Sequence, residues 1–119
     1  MALALSTARK SEHARWKLGS VIWRGGSVLS KGVNQIKNDP AVLETEKYYH
    51  CTVHAEVAAL RSAKRPVGAK LFVARVTKSG GVGLAKPCDR CMREIAAHGI
   101  KRVYYTLDGG GWDYFRVDV

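Results

Sequence analysis

Two short motifs, each at the start of a predicted helix, constrain the fold of this 119-residue chain more than any other feature. A His-Ala-Glu motif occupies residues 54–56, just after Thr52, a predicted N-cap, and a Pro-Cys-x-x-Cys motif occupies residues 87–91. The segment between the motifs holds one predicted strand, at residues 69–76. Side chains of both motifs can therefore meet only in a fold that sets the two helix starts side by side.

Strands and helices alternate along the rest of the chain. Besides that strand, the predicted elements are a helix at 2–15, a hairpin of strands at 21–23 and 28–33 around Gly25-Gly26, a loop at 34–49, helices at 52–65 and 89–98, a strand at 100–106 and an irregular tail from 109. Such an α/β order builds a mixed sheet covered by helices. The length and an apolar fraction of 46% suit a single domain, residues 1–119.

His54, Cys88 and Cys91 have the donor types and spacing of a zinc site. Zinc prefers tetrahedral sites of imidazole nitrogen and thiolate sulfur, and one His with two Cys leaves a fourth position open for water, as in catalytic sites. The positive ends of two helices would offset the negative charge of such a cluster. A redox pair would instead need Cys-x-x-Cys just after the first strand of a βαβ unit, and this pair comes late in the chain.

Glu56 lies two residues after His54, near the predicted metal without being forced to bind it. A carboxylate in that place can take a proton from water and pass it to a ring nitrogen and then to a leaving amine. His-x-Glu followed by Pro-Cys-x-x-Cys is the signature of zinc deaminases that act on nucleobases. The two motifs together therefore predict hydrolytic deamination.

On these motifs the chain resembles the cytidine deaminase superfamily, and the resemblance covers residues 19–105. It implies a three-layer α-β-α fold, a Zn²⁺ cofactor at two helix N-termini and Glu56 as the catalytic residue. It also implies that Asn34 binds the sugar and that the backbone of Ala55 hydrogen-bonds the base edge. The other residues expected to bind substrate are Gly32, Val33, Pro87, Tyr48 and Tyr49.

Three functions remain open at this point. The favoured one converts cytosine to uracil in a nucleotide or nucleoside, because Asn34 and residues 99–105 resemble deoxycytidylate deaminases. The alternative deaminates cytosine or adenine in single-stranded DNA or RNA, because residues 54–61 also resemble the tRNA adenosine deaminases. The third is an inactive deaminase-fold binding subunit, and the intact motifs argue against it.

The charge of the chain favours partners that carry phosphate. Twenty Lys and Arg residues face ten Asp and Glu, a net charge of +10, and residues 57–88 contain seven basic residues and no acidic one. Such a field attracts a free nucleotide and a nucleic acid strand alike. No segment has the length of a membrane span or of a signal peptide, so we expect a cytoplasmic protein with no membrane partner. A homo-oligomer is expected, since so small a chain gains stability from an interface.

A few residues near the motifs have weaker signals. His50 and Cys51 make only an incomplete second metal site, and Cys51 is expected to be a buried thiol. Trp23 lies in a predicted strand and is expected in the core. The aromatic residues able to stack on bases are Trp16, Trp23, Tyr48, Tyr49, Trp112 and Tyr114.

Overall fold

The computed structural model describes residues 1–11, 17–36, 52–53, 55–77 and 79–117. Its helices are α1 (Ala2–Ala8), α2 (Ala55–Ser62) and α3 (Asp89–Ala97). Its strands are β1 (Lys17–Arg24), β2 (Ser27–Val33), β3 (Gln35–Ile36), β4 (Thr52–Val53), β5 (Lys70–Val76), β6 (Val82–Gly83), β7 (Arg102–Thr106) and β8 (Trp112–Arg116). No helix of the described residues is long and apolar enough to cross a membrane.

Six of these strands form one mixed sheet. The order is β2-β1-β5-β7-β8, and the short β6 pairs with β5 beside this path. The β5–β7 pair is parallel, with α3 in the connection between them, and the other pairs are antiparallel. The remaining strands, β3 and β4, pair with each other as a separate ribbon. The mixed sheet predicted from the sequence is confirmed.

The helices lie on both faces of this sheet, which gives the predicted α-β-α layers. Neighbouring residues of β1 point to opposite faces, so Ile22 joins one core cluster and Val21 the other. The larger cluster contains Leu60 of α2 and Ile95 of α3, both fully buried against the sheet. The smaller one contains Ala4 of α1. The two motif-bearing helices therefore share one face, and α1 lies on the other.

Local turn chemistry fixes the hairpin and the end of α3. Gly25 and Gly26 have φ values of 57° and 81°, the left-handed pair that joins two strands in a tight turn. The turn places β1 and β2 in antiparallel register, with a shift between Ile22 and Trp23. Gly99 follows α3 with a φ of 75°, as expected of a helix C-terminus. These two predictions are confirmed.

Other element predictions are wrong or fall outside the described residues. Thr52 is not an N-cap, since it pairs with Ile36 in the ribbon and α2 begins at Ala55. Helix α1 ends at Ala8, because the Lys10 and Ser11 amides bond to the carbonyls of residues 7 and 8 and so leave the α-helical pattern. The tail is not irregular: residues 109–111, all glycines with positive φ, lead into β8, which pairs with β7. The loop predicted at 34–49 is wrong near its start, where residues 35 and 36 form β3, and its remainder, 37–49, lies outside the described residues.

A close approach of backbones fixes α1 on the sheet. A Cβ added to Gly19 of β1 would collide with the Ala8 backbone nitrogen and would lie 2.7 Å from both the Ala8 Cα and the Thr7 carbonyl carbon. These are backbone atoms that cannot rotate away. Only glycine at this position lets the end of α1 pack so closely on β1.

We predict that Gly19→Ala lowers the free energy of unfolding by about 1–3 kcal/mol, as is typical of overpacking. Urea denaturation followed by circular dichroism measures the change. Gly81→Ala is the control, because its added Cβ would meet only the Thr77 hydroxyl, at 3.3 Å. Equal stability of Gly19→Ala and the wild-type protein would contradict the prediction and show that α1 can shift without lowering the free energy of unfolding.

Candidate active site

The start of α3 holds the two cysteines of the second motif at neighbouring positions in space. Cys88 is the N-cap, with extended backbone angles of −74° and 169°, and its carbonyl accepts the first helical hydrogen bond, from the Met92 amide at 2.9 Å. Cys91 lies three residues on, the spacing at which a cap residue and a first-turn residue face each other at a helix start. Cys88 is exposed and Cys91 is buried. Both sulfurs therefore lie at the positive end of α3.

The start of α2 holds Glu56 on the same side of the sheet. Glu56 is the second residue of the helix and is only 3% exposed. The helix is held against β2 by the Ser30 hydroxyl, which donates to the Ala59 carbonyl at 2.7 Å. Ala59 and Leu60 pack into the larger core cluster. The Glu56 side chain is therefore almost fully shielded from bulk solvent.

The segment that leads to Cys88 is tied to the end of β7. The Thr106 hydroxyl donates to the Gly83 carbonyl at 2.7 Å, and the Thr106 carbonyl accepts from the Ala85 amide at 3.0 Å. Asp108 accepts from the Leu84 amide at 3.0 Å. The sequence analysis missed both Thr106 and Asp108. Their only signal is that they follow a predicted strand at its carboxyl end, where polar side chains often hold loops.

The cysteines and Glu56 meet where the two helix starts lie side by side. Burial raises the pKa of the Cys91 thiol, and charge repulsion and hydrogen bonding from Glu56, followed by those from Cys88, raise it further. The thiol is therefore protonated at neutral pH when no cation is present. The structure thus brings Cys91 together with Glu56 of the first motif and with Cys88 of the second.

These residues fit a zinc ion by the chemistry of their donors. A buried carboxylate and two thiols in contact are unfavourable when ionised, and a divalent cation would reverse that balance by favouring the thiolates. Among the described residues alone, no group of three or more His, Cys, Asp and Glu side chains could hold a metal ion. His54, the predicted third ligand, lies outside the described residues.

Asn34 has a structural environment that the sequence analysis did not foresee. Its side-chain oxygen accepts hydrogen bonds from the Ser11 hydroxyl at 2.5 Å and from the Leu18 amide at 3.0 Å, and the residue is 5% exposed. The contacts tie the segment after α1 to the start of β1. The role of Asn34 in binding a sugar remains a prediction.

The other predicted substrate residues are only partly described. Gly32 and Val33 end β2, the strand on which α2 packs, and Pro87 is buried just before α3. Ala55 is the first residue of α2. Their binding roles remain predictions. Besides His54, the predicted residues outside the described ranges are Trp16, Tyr48, Tyr49, His50 and Cys51.

Comparison with known proteins identifies the class to which this arrangement belongs. The chain belongs to the family described as the cytidine and deoxycytidylate deaminase zinc-binding region, which matches residues 1–107. The resemblance inferred from the two motifs is confirmed. No curated protein is significantly similar to the chain.

Solved structures of deaminases share the fold. The dCMP deaminase of cyanophage S-TIM5 in apo form is 28% identical, with a TM-score of 0.66 over 89% of this chain and 78% of that one. The structure of its complex with dCMP and dUMP gives 26% identity and a TM-score of 0.65 over 86% of this chain and 74% of that one. Cytidine deaminase from Burkholderia pseudomallei, at 22% identity, shares the fold with a TM-score of 0.72 over 98% and 88%.

We predict that the two thiols of the metal-free protein differ sharply in reactivity. Iodoacetamide should alkylate Cys88 about tenfold or more faster than Cys91, since Cys91 is buried and its pKa is raised. Mass spectrometry after cleavage at Arg90, which separates the two cysteines, measures both rates. Added Zn²⁺ should slow both reactions. Equal rates without metal would contradict the burial of Cys91, and no protection by Zn²⁺ would argue against thiolate ligation.

Proposed function

We propose that the protein is a zinc-dependent hydrolytic deaminase that converts cytosine to uracil in a (deoxy)cytidine nucleotide or nucleoside. The observation that carries the proposal is the contact between the buried Glu56 and Cys91 at two adjacent helix starts. Membership of the deaminase family supports it, as does the complex of the similar phage enzyme with dCMP and dUMP. A cytoplasmic place in nucleotide metabolism and homo-oligomeric assembly are parts of the same proposal.

The metal and Glu56 have separate tasks in this reaction. Zinc, held by His54, Cys88 and Cys91, supplies Lewis-acid activation of the attacking water when it is bound. Glu56 accepts a proton from that water and delivers it to N3 of the ring. It then carries the second proton to the amino group that leaves C4, so water and cytosine give uracil and ammonia. The burial of Glu56 keeps these protons from exchanging with bulk solvent.

Binding of the substrate is assigned to the residues around the two helix starts. The Ala55 backbone would meet the base edge, and Asn34 would meet the sugar. Gly32, Val33 and Pro87 would shape the pocket, together with Tyr48 and Tyr49. The Asn34 side chain is almost fully buried, and its hydrogen bonds to Ser11 and Leu18 hold it in a fixed orientation.

We predict that Glu56→Gln lowers the rate of dCMP deamination at least about 100-fold, because the amide keeps the shape but cannot carry the protons. Zinc content should stay at the wild-type level. Steady-state kinetics and metal analysis measure the two quantities. The control is Glu94→Gln, a half-exposed carboxylate of α3 beside His98, which should leave the rate near wild type. A Glu56→Gln enzyme that keeps a tenth of the wild-type rate would refute the assigned role.

A second candidate function is deamination of a base within a single strand. The net charge of +10 favours it, since a strand carries many phosphates and a nucleotide few. A competition experiment separates the two functions. Zinc-loaded protein receives dCMP, deoxycytidine and a single-stranded oligonucleotide containing both C and A, and mass spectrometry follows all three.

We expect conversion of dCMP or deoxycytidine, with the oligonucleotide left intact. This result would make the basic surface a means of attracting free nucleotides. Conversion in the oligonucleotide alone would contradict the favoured substrate and support a strand-acting deaminase. No conversion of any substrate by a zinc-loaded, folded protein would contradict both and favour a binding subunit.

A further inference from the structure

The sheet face opposite α2 and α3 carries aromatic and basic side chains on its outer strands. In the register of β5, β7 and β8, Phe72 pairs with Tyr104 and Tyr104 with Tyr114. Two residues along the strands, and so on the same face, Lys70 pairs with Arg102 and Arg102 with Arg116. Trp112, two residues before Tyr114, also belongs to this face. We call the seven residues the aromatic face: Lys70, Phe72, Arg102, Tyr104, Trp112, Tyr114 and Arg116.

The described residues leave the outer part of this face uncovered. Helix α1 packs on β1, β5 and β2, so it covers the other half of the same sheet surface. Trp112 is 55% exposed and Tyr114 is 51% exposed. Trp23, expected in the core, is 37% exposed and lines a shallow cavity between α1 and Phe72. Large exposed aromatic side chains grouped on one surface usually mark a binding site.

The rings are already arranged for stacking. Phe72 and Tyr104 stack at 4.7 Å between ring centroids, and Tyr104 and Tyr114 stack at 5.4 Å. Trp112 meets Tyr104 edge-on at 5.7 Å. The strands fix the spacing of these rings, so a flat ligand would find its partners in place with little further ordering.

Three positive side chains beside the rings, which we call the basic row, have no negative charge near them among the described residues of this face. Lys70, Arg102 and Arg116 are direct cross-strand neighbours, an arrangement that like charges make unfavourable. Within the described ranges, no acidic side chain lies on this face, since Asp113 of β8 points to the opposite one. Arg102 lies 6.0 Å from the Tyr114 ring centroid, and its buried Nε has no hydrogen-bond partner in the described part of the chain. A bound anion would offset the repulsion.

We propose that the aromatic face binds single-stranded nucleic acid. Bases would stack on the exposed rings of Trp112 and Tyr114, and phosphates would pair with Lys70, Arg102 and Arg116. A second copy of the chain fits the surface less well, because a two-fold contact would set the basic row against itself. A double helix fits less well too, because its bases are already stacked on one another.

This binding is separate from the deamination proposed above. Glu56 and Cys91 lie with α2 and α3 on the other face of the sheet. A strand of thymidines alone contains no base that the deaminase proposal would convert. Its binding therefore tests the aromatic face whether or not the protein deaminates cytosine.

The test is fluorescence anisotropy of a labelled oligothymidylate with the full chain at low ionic strength. Tyr114→Ala and Trp112→Ala should each weaken binding about tenfold, which is the effect of losing one stacked base. Arg116→Glu should weaken binding by a similar factor and flatten its salt dependence. The matched control is Arg93→Glu on the exposed side of α3, which changes the net charge equally but lies on the other face of the sheet. Circular dichroism verifies that each variant is folded, and dCMP turnover should be unaffected in Tyr114→Ala.

Four results would overturn the proposal. Equal losses in Arg93→Glu and Arg116→Glu would mean that only the overall charge attracts the strand. Unchanged affinity in both aromatic variants, or equal affinity for a duplex of the same length, would mean that no base stacks there. Self-association in sedimentation experiments that Tyr114→Ala abolishes would make the face an interface between copies of the chain.

Discussion

The contact between Glu56 and Cys91 is the interaction on which the candidate active site depends. A carboxylate that is almost fully buried beside a cysteine is electrostatically costly in an apolar interior. The starts of α2 and α3 reduce that cost, because their backbone N–H groups carry partial positive charge. The sheet must therefore hold both helix starts together, and it does so through the core cluster that contains Leu60 and Ile95. In this fold, the packing of the core therefore determines the geometry of the candidate active site.

The parts of the structure that the sequence predicted have strong local signals. Gly25 and Gly26 specify the tight hairpin turn because their backbones adopt left-handed angles that other residues disfavour. The start of α3 follows Pro87 and its end precedes Gly99, which is typical of a helix. The motif spacing predicted that the cysteines and Glu56 would meet, since a helix start fixes where its first side chains point. The metal role of these residues and of His54 stays a prediction.

The parts that the sequence did not predict depend on contacts between distant segments. Strand β8 is exposed on almost every residue, so it lacks the alternation of apolar and polar residues that marks a half-buried strand. It forms because β7 offers its backbone hydrogen bonds. Thr52 resembles a helix cap locally, but pairing with Ile36 makes it part of a strand. Thr106 and Asp108 hold the segment before Cys88 through hydrogen bonds to its backbone, which no spacing in the sequence encodes.

The central place of β5 has a consequence for the order of folding. This strand lies between β1 and β7, while α2 precedes it and α3 follows it in the chain. Its parallel pairing with β7 requires the whole crossover through α3, and its pairing with β1 joins segments far apart in sequence. Non-local pairings of this kind form slowly, whereas single helices form within microseconds. We therefore expect both helices to form transiently early in folding. The catalytic groups would meet only when the slow strand pairing is complete, so the active site would form in the last step of folding.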